Sequence, residues 1–184
     1  MEFDYIIIGA GSAGCVLANH LSSDAGNRVL LIEAGRDTGA LSLKMPAAVL
    51  SNLTSTTHNW AFQGEPEPGL DGRVIQHDRG KTIGGSSSIN GMVFIRGHAL
   101  DYDGWQQAGC PGWGYADVLP YFKRMENYGG GGDAFRGAGG PLHVHRADPQ
   151  DPITLAFIKA GQEAGYPITN DVSGYCQEGF GVSD

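Results

Sequence analysis

The first 33 residues constrain the fold more than any other part of the chain. Phe3–Ile8 is a run of aromatic and β-branched residues that ends at glycine, the pattern of a fully buried parallel strand. Gly9-Ala-Gly-Ser-Ala-Gly14 then turns the chain, and a helix is predicted from Ser12 to about Ser23, with Ala13, Val16, Leu17, Ala18 and Leu21 at helical spacing. Polar Ser22–Asn27 closes it, and Arg28–Glu33 reads as a second buried strand. Strand, glycine turn, helix and strand in this order form a βαβ unit, whose crossover is right-handed. The predicted class is therefore α/β, with a Rossmann-like doubly wound sheet.

Each residue of the turn has a physical task. Gly9 permits the tight bend, Gly11 lets backbone approach a pyrophosphate, and Gly14 lets helix and strand pack closely. Ser12 and Ala13 present free amides at the positive end of the helix. Glu33, at the end of the second strand, is placed to accept hydrogen bonds from a ribose, and its charge opposes a 2′-phosphate. The pattern is that of a dinucleotide site and does not by itself separate NAD from FAD. A glycine turn that binds nothing is the alternative reading.

The chain holds 30 glycines in 184 residues, roughly 16% where about 7% is usual. That excess marks either filler or close backbone approach; Gly129–Gly132 reads as filler, whereas Gly84 and Gly85 sit in an ordered context. The net charge of −8 argues against a nucleic-acid partner. Cys15, Cys110 and Cys176 are widely spaced and unpaired by pattern, which suits a reducing, cytoplasmic setting. No apolar run approaches the ~20 residues of a transmembrane helix, and the amino terminus lacks a signal-peptide pattern.

Further along, Asp37–Thr57 reads as irregular, with turns at Gly39 and Pro46. Trp60–Gln63 and Val74–His77 are predicted to form a hairpin with a long connection. Helices are expected at Asp101–Ala108, capped by Asp101, at Tyr115–Met125 with Asp117 in the first turn, and at Pro152–Ala164, stopped by Gly165 and Pro167. Pro141–His145 alternates as a short strand, and Tyr128–Gly140 is the expected loose region. Only two parallel strands of a sheet that normally has four to six are visible, so the expectation is an incomplete domain.

The second glycine loop separates the two cofactors. Gly80-Lys-Thr-Ile-Gly-Gly-Ser-Ser-Ser-Ile-Asn-Gly-Met-Val-Phe-Ile-Arg-Gly97 resembles the first signature of the glucose–methanol–choline (GMC) oxidoreductase family. GAGSAGCVLANHLS, LIEAG, NWAFQGEPEP, DYDGW and GWGYADVLPYF agree with the same family in order and spacing, so the resemblance runs over essentially the whole chain. It implies FAD, bound in extended form, and oxidation of a primary alcohol to an aldehyde with hydride passed to flavin N5. By that resemblance Gly9, Gly11, Ser12, Ala13 and Gly14 bind the diphosphate, and Glu33 and Ala34 meet the adenosine. Ile83, Gly84, Gly85, Ser86 and Ser87, with Asn90, Gly91, Met92 and Val93, line the pyrophosphate, ribityl chain and flavin ring.

Some members attach FAD through a histidine where this chain has Ile89, so the resemblance implies non-covalent FAD. The family's catalytic histidine and its His or Asn partner lie far toward the carboxyl end, beyond these residues; no catalytic residue is expected here, and a carboxyl-terminal part of the enzyme is the expected partner. The resemblance divides the chain into residues 1–139 of the FAD-binding domain and 140–184, the start of an α+β substrate domain. Two alternatives stay open: an oxygen-using alcohol oxidase of the same family, and a truncated dinucleotide-binding module without turnover.

Other groups carry less. His143 and His145 share a strand face but lack a third ligand, so no metal site is expected. His98, just past the flavin loop, is read as a packing or solvent-exposed residue, Arg96 as a partner for a carboxylate or a cofactor oxygen, Cys15 as an inert thiol, and Trp60, Trp105 and Trp113 are expected in the core.

Overall fold

The computed structural model describes residues 2–36 and 39–184, so Asp37 and Thr38 of the segment read as irregular lie outside the described residues. Two compact units emerge, Met1–Met92 and Val93–Asp184.

In the first unit, β1 (Tyr5–Ile8) pairs in parallel with β2 (Val29–Ile32), Tyr5 opposite Val29 and Ile8 opposite Ile32. Helix α1 (Ser12–Ser22) joins them as the crossover. The glycines explain how closely the parts fit. Gly9 has φ +92°, and a Cβ on Gly14 would overlap the Gly9 carbonyl, so only a residue without a side chain lets α1 sit on the turn. The expectation of fully buried strands is corrected: Ile8 is 86% exposed, and Tyr5, Ile6 and Ile32 are exposed too. A parallel strand is buried only when further strands and helices cover it on both faces, and here α1 covers β1 and β2 alone.

The segment after residue 39 is not irregular but folds into short helices, α2 (Leu41–Lys44), a 3₁₀ turn at Pro46–Ala48 and α3 (Val49–Leu53). The expected hairpin is present but short: β3 (Phe62–Gln63) pairs antiparallel with β4 (Gln76–His77).

The two glycine turns dock on each other through backbone. The Gly84 amide donates to the Ala10 carbonyl at 2.7 Å, and Gly11 and Gly84 form an isolated parallel bridge. Gly85, at φ +57°, leads into a 3₁₀ turn over Gly85–Ser88, and a Cβ there would stand 2.8 Å from the Gly11 Cα. Ala10, Thr82, Gly85 and Ile89 are buried around this junction.

The second unit holds α4 (Ala99–Gln107), α5 (Tyr115–Met125), β5 (Glu126–Tyr128), β6 (Leu142–Val144) and α6 (Pro152–Glu163). The cap of α4 is His98 and not Asp101: His98 Nδ1 accepts from the Leu100 amide at 3.2 Å, while the Asp101 carboxylate accepts from the His98 amide at 2.7 Å, a reciprocal capping box. β5 and β6 run parallel.

Their connection, read as loose, is instead the centre of the unit. Arg136 within it is fully buried, with its guanidinium 2.9 Å from Glu126 Oε1, 2.8 Å from Asp171 and 2.7 Å from Asp184. Arg96 closes on the other Glu126 oxygen at 2.6 Å, where the Gly137 amide also donates. The Arg136 and Phe135 amides hold the Asp133 carboxyl below its ordinary range and fold the connection into a tight turn. Glycine richness misled here because charges, and not apolar side chains, order the loop.

Two stability tests follow from these contacts. Glu126→Gln leaves the buried Arg96 guanidinium without its carboxylate and Arg136 with two of its three, and urea titration is expected to show a loss of about 3–5 kcal/mol. Gly85→Ala forces a side chain into left-handed backbone against Gly11, with an expected cost of about 1–3 kcal/mol. Gly11→Ala meets open space and is expected to cost less than about 1 kcal/mol, the loss of a tolerated helix cap; equal losses at the two glycines would contradict the docking.

Candidate functional site

The docked turns open on a cleft of about 510 Å³ within the first unit. Six of the sequence-predicted residues line it: Gly9, Gly11, Glu33, Ala34, Gly85 and Ser86. The remaining predicted residues take other positions. Ser12 and Ala13 are exposed in the first turn of α1, where Gly11 is the cap and no side chain satisfies the free amides. Gly14 is buried in helix packing, and the half-buried Gly84 forms the bridge between turns. Ile83 and Gly91 are exposed, and Val93 belongs to the second unit. Ser87, Asn90 and Met92 line a separate small cavity of about 90 Å³ with Lys44, Met45, Val49 and Asn52.

Glu33 is committed to the local structure as well as to the cleft. Its Oε2 accepts from the Ala10 amide at 2.8 Å and its Oε1 from the Gly35 amide at 2.8 Å. A carboxylate has about four acceptor positions, so capacity for a ribose hydroxyl is left. Ala10 thus bonds Glu33 through its N–H and the second turn through its carbonyl.

Trp60, Phe62, Arg79 and Gly80 also line the cleft, and none was singled out from the sequence as a site residue. Trp60 and Phe62 stack with ring centroids 5.6 Å apart and an interplanar angle of 8°. Trp60 is 41% exposed, and Trp105 and Trp113 are exposed as well, which corrects the expectation of three core tryptophans. Trp60 walls the cleft, while Trp113 lines a groove of about 480 Å³ with Tyr102, Tyr121 and Phe122. A large ring often buries one side and leaves the other open.

Buried Asn59 fixes this wall. Its Nδ2 donates to the Leu53 carbonyl and to Asp78 Oδ1, each at 2.7 Å, and its Oδ1 accepts from the Ala61 amide at 2.9 Å and the Arg79 amide at 3.0 Å. Every donor and acceptor of the side chain is used. Asn59, then Gln76, holds the Asp78 carboxyl below its ordinary range. Because that pKa is depressed on folding, the contribution is present above about pH 3.8 and fades as pH falls further.

The position at which covalent FAD attachment would need histidine is the buried Ile89, which has no nucleophilic atom. Of the two partners open to Arg96, a carboxylate or a cofactor oxygen, the structure gives the carboxylate of Glu126, and His143 Nδ1 lies 2.9 Å from Asn127 Nδ2. Among the described residues no helix is long and apolar enough to cross a membrane.

An uncapped helix start, side-chain-free bends and a wall of stacked rings suit a diphosphate-bearing aromatic nucleotide. Comparison with known proteins agrees. A family model described as GMC oxidoreductase matches residues 3–184. An oxygen-dependent choline dehydrogenase of Sinorhizobium fredii is 53% identical over 185 residues, aligning 100% of this chain with 34% of that protein. One from Rhizobium etli is 52% identical over 184 residues, with the same coverage. Among solved structures, pyridoxine 4-oxidase from Mesorbium loti superposes with a TM-score of 0.87 at 39% identity, over 94% of this chain and 34% of that one. The chain thus spans about a third of the length of these relatives. With a Rossmann-like α/β fold, a matching family model over nearly every residue and relatives above half identity, the chain belongs to the GMC oxidoreductase family.

Proposed function

We propose that this chain is the FAD-binding part of an enzyme that oxidises a primary alcohol to an aldehyde, with FAD held non-covalently. The observation that carries the reading is the docking of two glycine turns onto one cleft, with Glu33 at its rim and an uncapped helix start beside it. When bound, FAD supplies the two-electron acceptor at flavin N5. The residues of this chain bind and orient. Gly9, Gly11, Ser12, Ala13 and Gly14 meet the diphosphate, Glu33 and Ala34 the adenosine, and Ile83–Ser87 with Asn90–Val93 the pyrophosphate, ribityl and ring portions.

The base that takes the hydroxyl proton must come within hydrogen-bond reach of the substrate, and the proposal assigns it to a further part of the protein. The relatives' threefold greater length supports that, as do the exposed Tyr5, Ile6 and Ile8 of β1 and Ile32 of β2, which a longer polypeptide would cover. By role, residues 1–139 are assigned to FAD binding and 140–184 to the start of the substrate region. Choline, the substrate in the relatives' name, is the first alcohol to test.

The full-length protein is expected to carry a flavin absorbance band that acid precipitation releases into the supernatant. Choline is expected to bleach that band only in the longer form and not with residues 1–184 alone. Flavin retained in the precipitate would refute non-covalent binding, and bleaching of the short chain would refute the placement of the base. The pyridoxine 4-oxidase likeness gives the oxidase alternative a specific basis; peroxide release during turnover in air would favour it over a dehydrogenase that needs another acceptor.

A further inference from the structure

We propose that Arg79 is the cation that binds the diphosphate of the nucleotide in this cleft. The assignment rests on the FAD reading above. Among the residues lining the cleft Arg79 is the single cation and Glu33 the single anion. Glu33 is occupied by the Ala10 and Gly35 amides and makes no ion pair with Arg79. The neighbouring Asp78 carboxylate accepts from Asn59 and Gln76, and among the described residues Arg79 forms no salt bridge.

The backbone of Arg79 is nevertheless held fast. Its amide donates to Asn59 Oδ1 at 3.0 Å and its carbonyl accepts from the Trp60 amide at 2.8 Å. Of the five guanidinium N–H donors, one is bonded among the described residues, Nη1 to the Asp78 carbonyl at 2.6 Å. A fixed Cα with a largely unspent fork is the arrangement that captures phosphate oxygens in pairs. The nearby Lys81 is a poorer candidate because its ammonium sits 4.3 Å above the Trp60 ring.

The charge balance points the same way. A diphosphate brings two negative charges into a chain whose net charge is already −8, and a helix start offsets only about half a charge. A cation pinned at its backbone offsets one charge more.

The test uses the full-length protein stripped of flavin, with ADP and adenosine as calorimetric probes at two salt concentrations. Arg79→Ala is expected to weaken ADP roughly ten- to hundredfold, to leave adenosine unchanged, and to flatten the salt dependence of ADP binding. Arg79→Lys is expected to recover part of the loss. Arg73→Ala makes the same change in net charge away from the cleft and is expected to leave ADP binding intact. Equal weakening of adenosine and ADP, an unchanged ADP affinity, or an equal loss in Arg73→Ala would overturn the assignment while the FAD reading stands. A wild-type protein that binds neither ADP nor FAD would overturn both.

Discussion

Ala10 has no functional side chain, yet its peptide groups join everything that forms the cleft. Its N–H is bound by the Glu33 carboxylate and its C=O by the Gly84 amide, so strand end, first turn and second turn meet at one buried residue. The contact works because backbone meets backbone. Any side chain at Gly85 would press on Gly11, at Gly80 on the Gly85 carbonyl, and at Gly35 on the Lys81 carbonyl. Glycine is here less a source of flexibility than a way to bring peptide groups to hydrogen-bond distance. Gly11 differs, since nothing occupies the space a Cβ would take.

The second unit solves a different problem with different means. Glu126 and Arg136 are fully buried, and their interaction orders a connection rich in glycine and poor in apolar residues. A buried ion cluster of this kind is a weak source of net stability, because desolvation offsets attraction, but each group depends on the others for its position. Arg96 lies three residues after Val93, so the cluster also fixes the end of the Gly80–Gly97 segment.

The βαβ unit was legible because its cues are local. Hydrophobic run, glycine spacing and helical periodicity each act over a few residues, and β1, α1 and β2 fall within a residue or two of where they are read. Trp60 and Arg79 were not legible as cleft residues, since their place depends on Asn59 bonding simultaneously to Leu53, Asp78, Ala61 and Arg79. No periodicity reports such a clamp. His98 was passed over as the cap of α4 because histidine caps through a ring nitrogen only in its neutral form, and Asp101 offered the more usual signal.

The sequence alone determined the fold class, the two glycine turns, the family and the acidic residue at the end of β2, all of which follow from residue type and spacing along the chain. Tertiary structure decided that the turns dock through Ala10, that Trp60, Phe62 and Arg79 line the cleft, and that the apparently loose loop holds a buried arginine. Those outcomes depend on which distant groups satisfy one another's hydrogen bonds and charges, and that is a property of the folded chain as a whole.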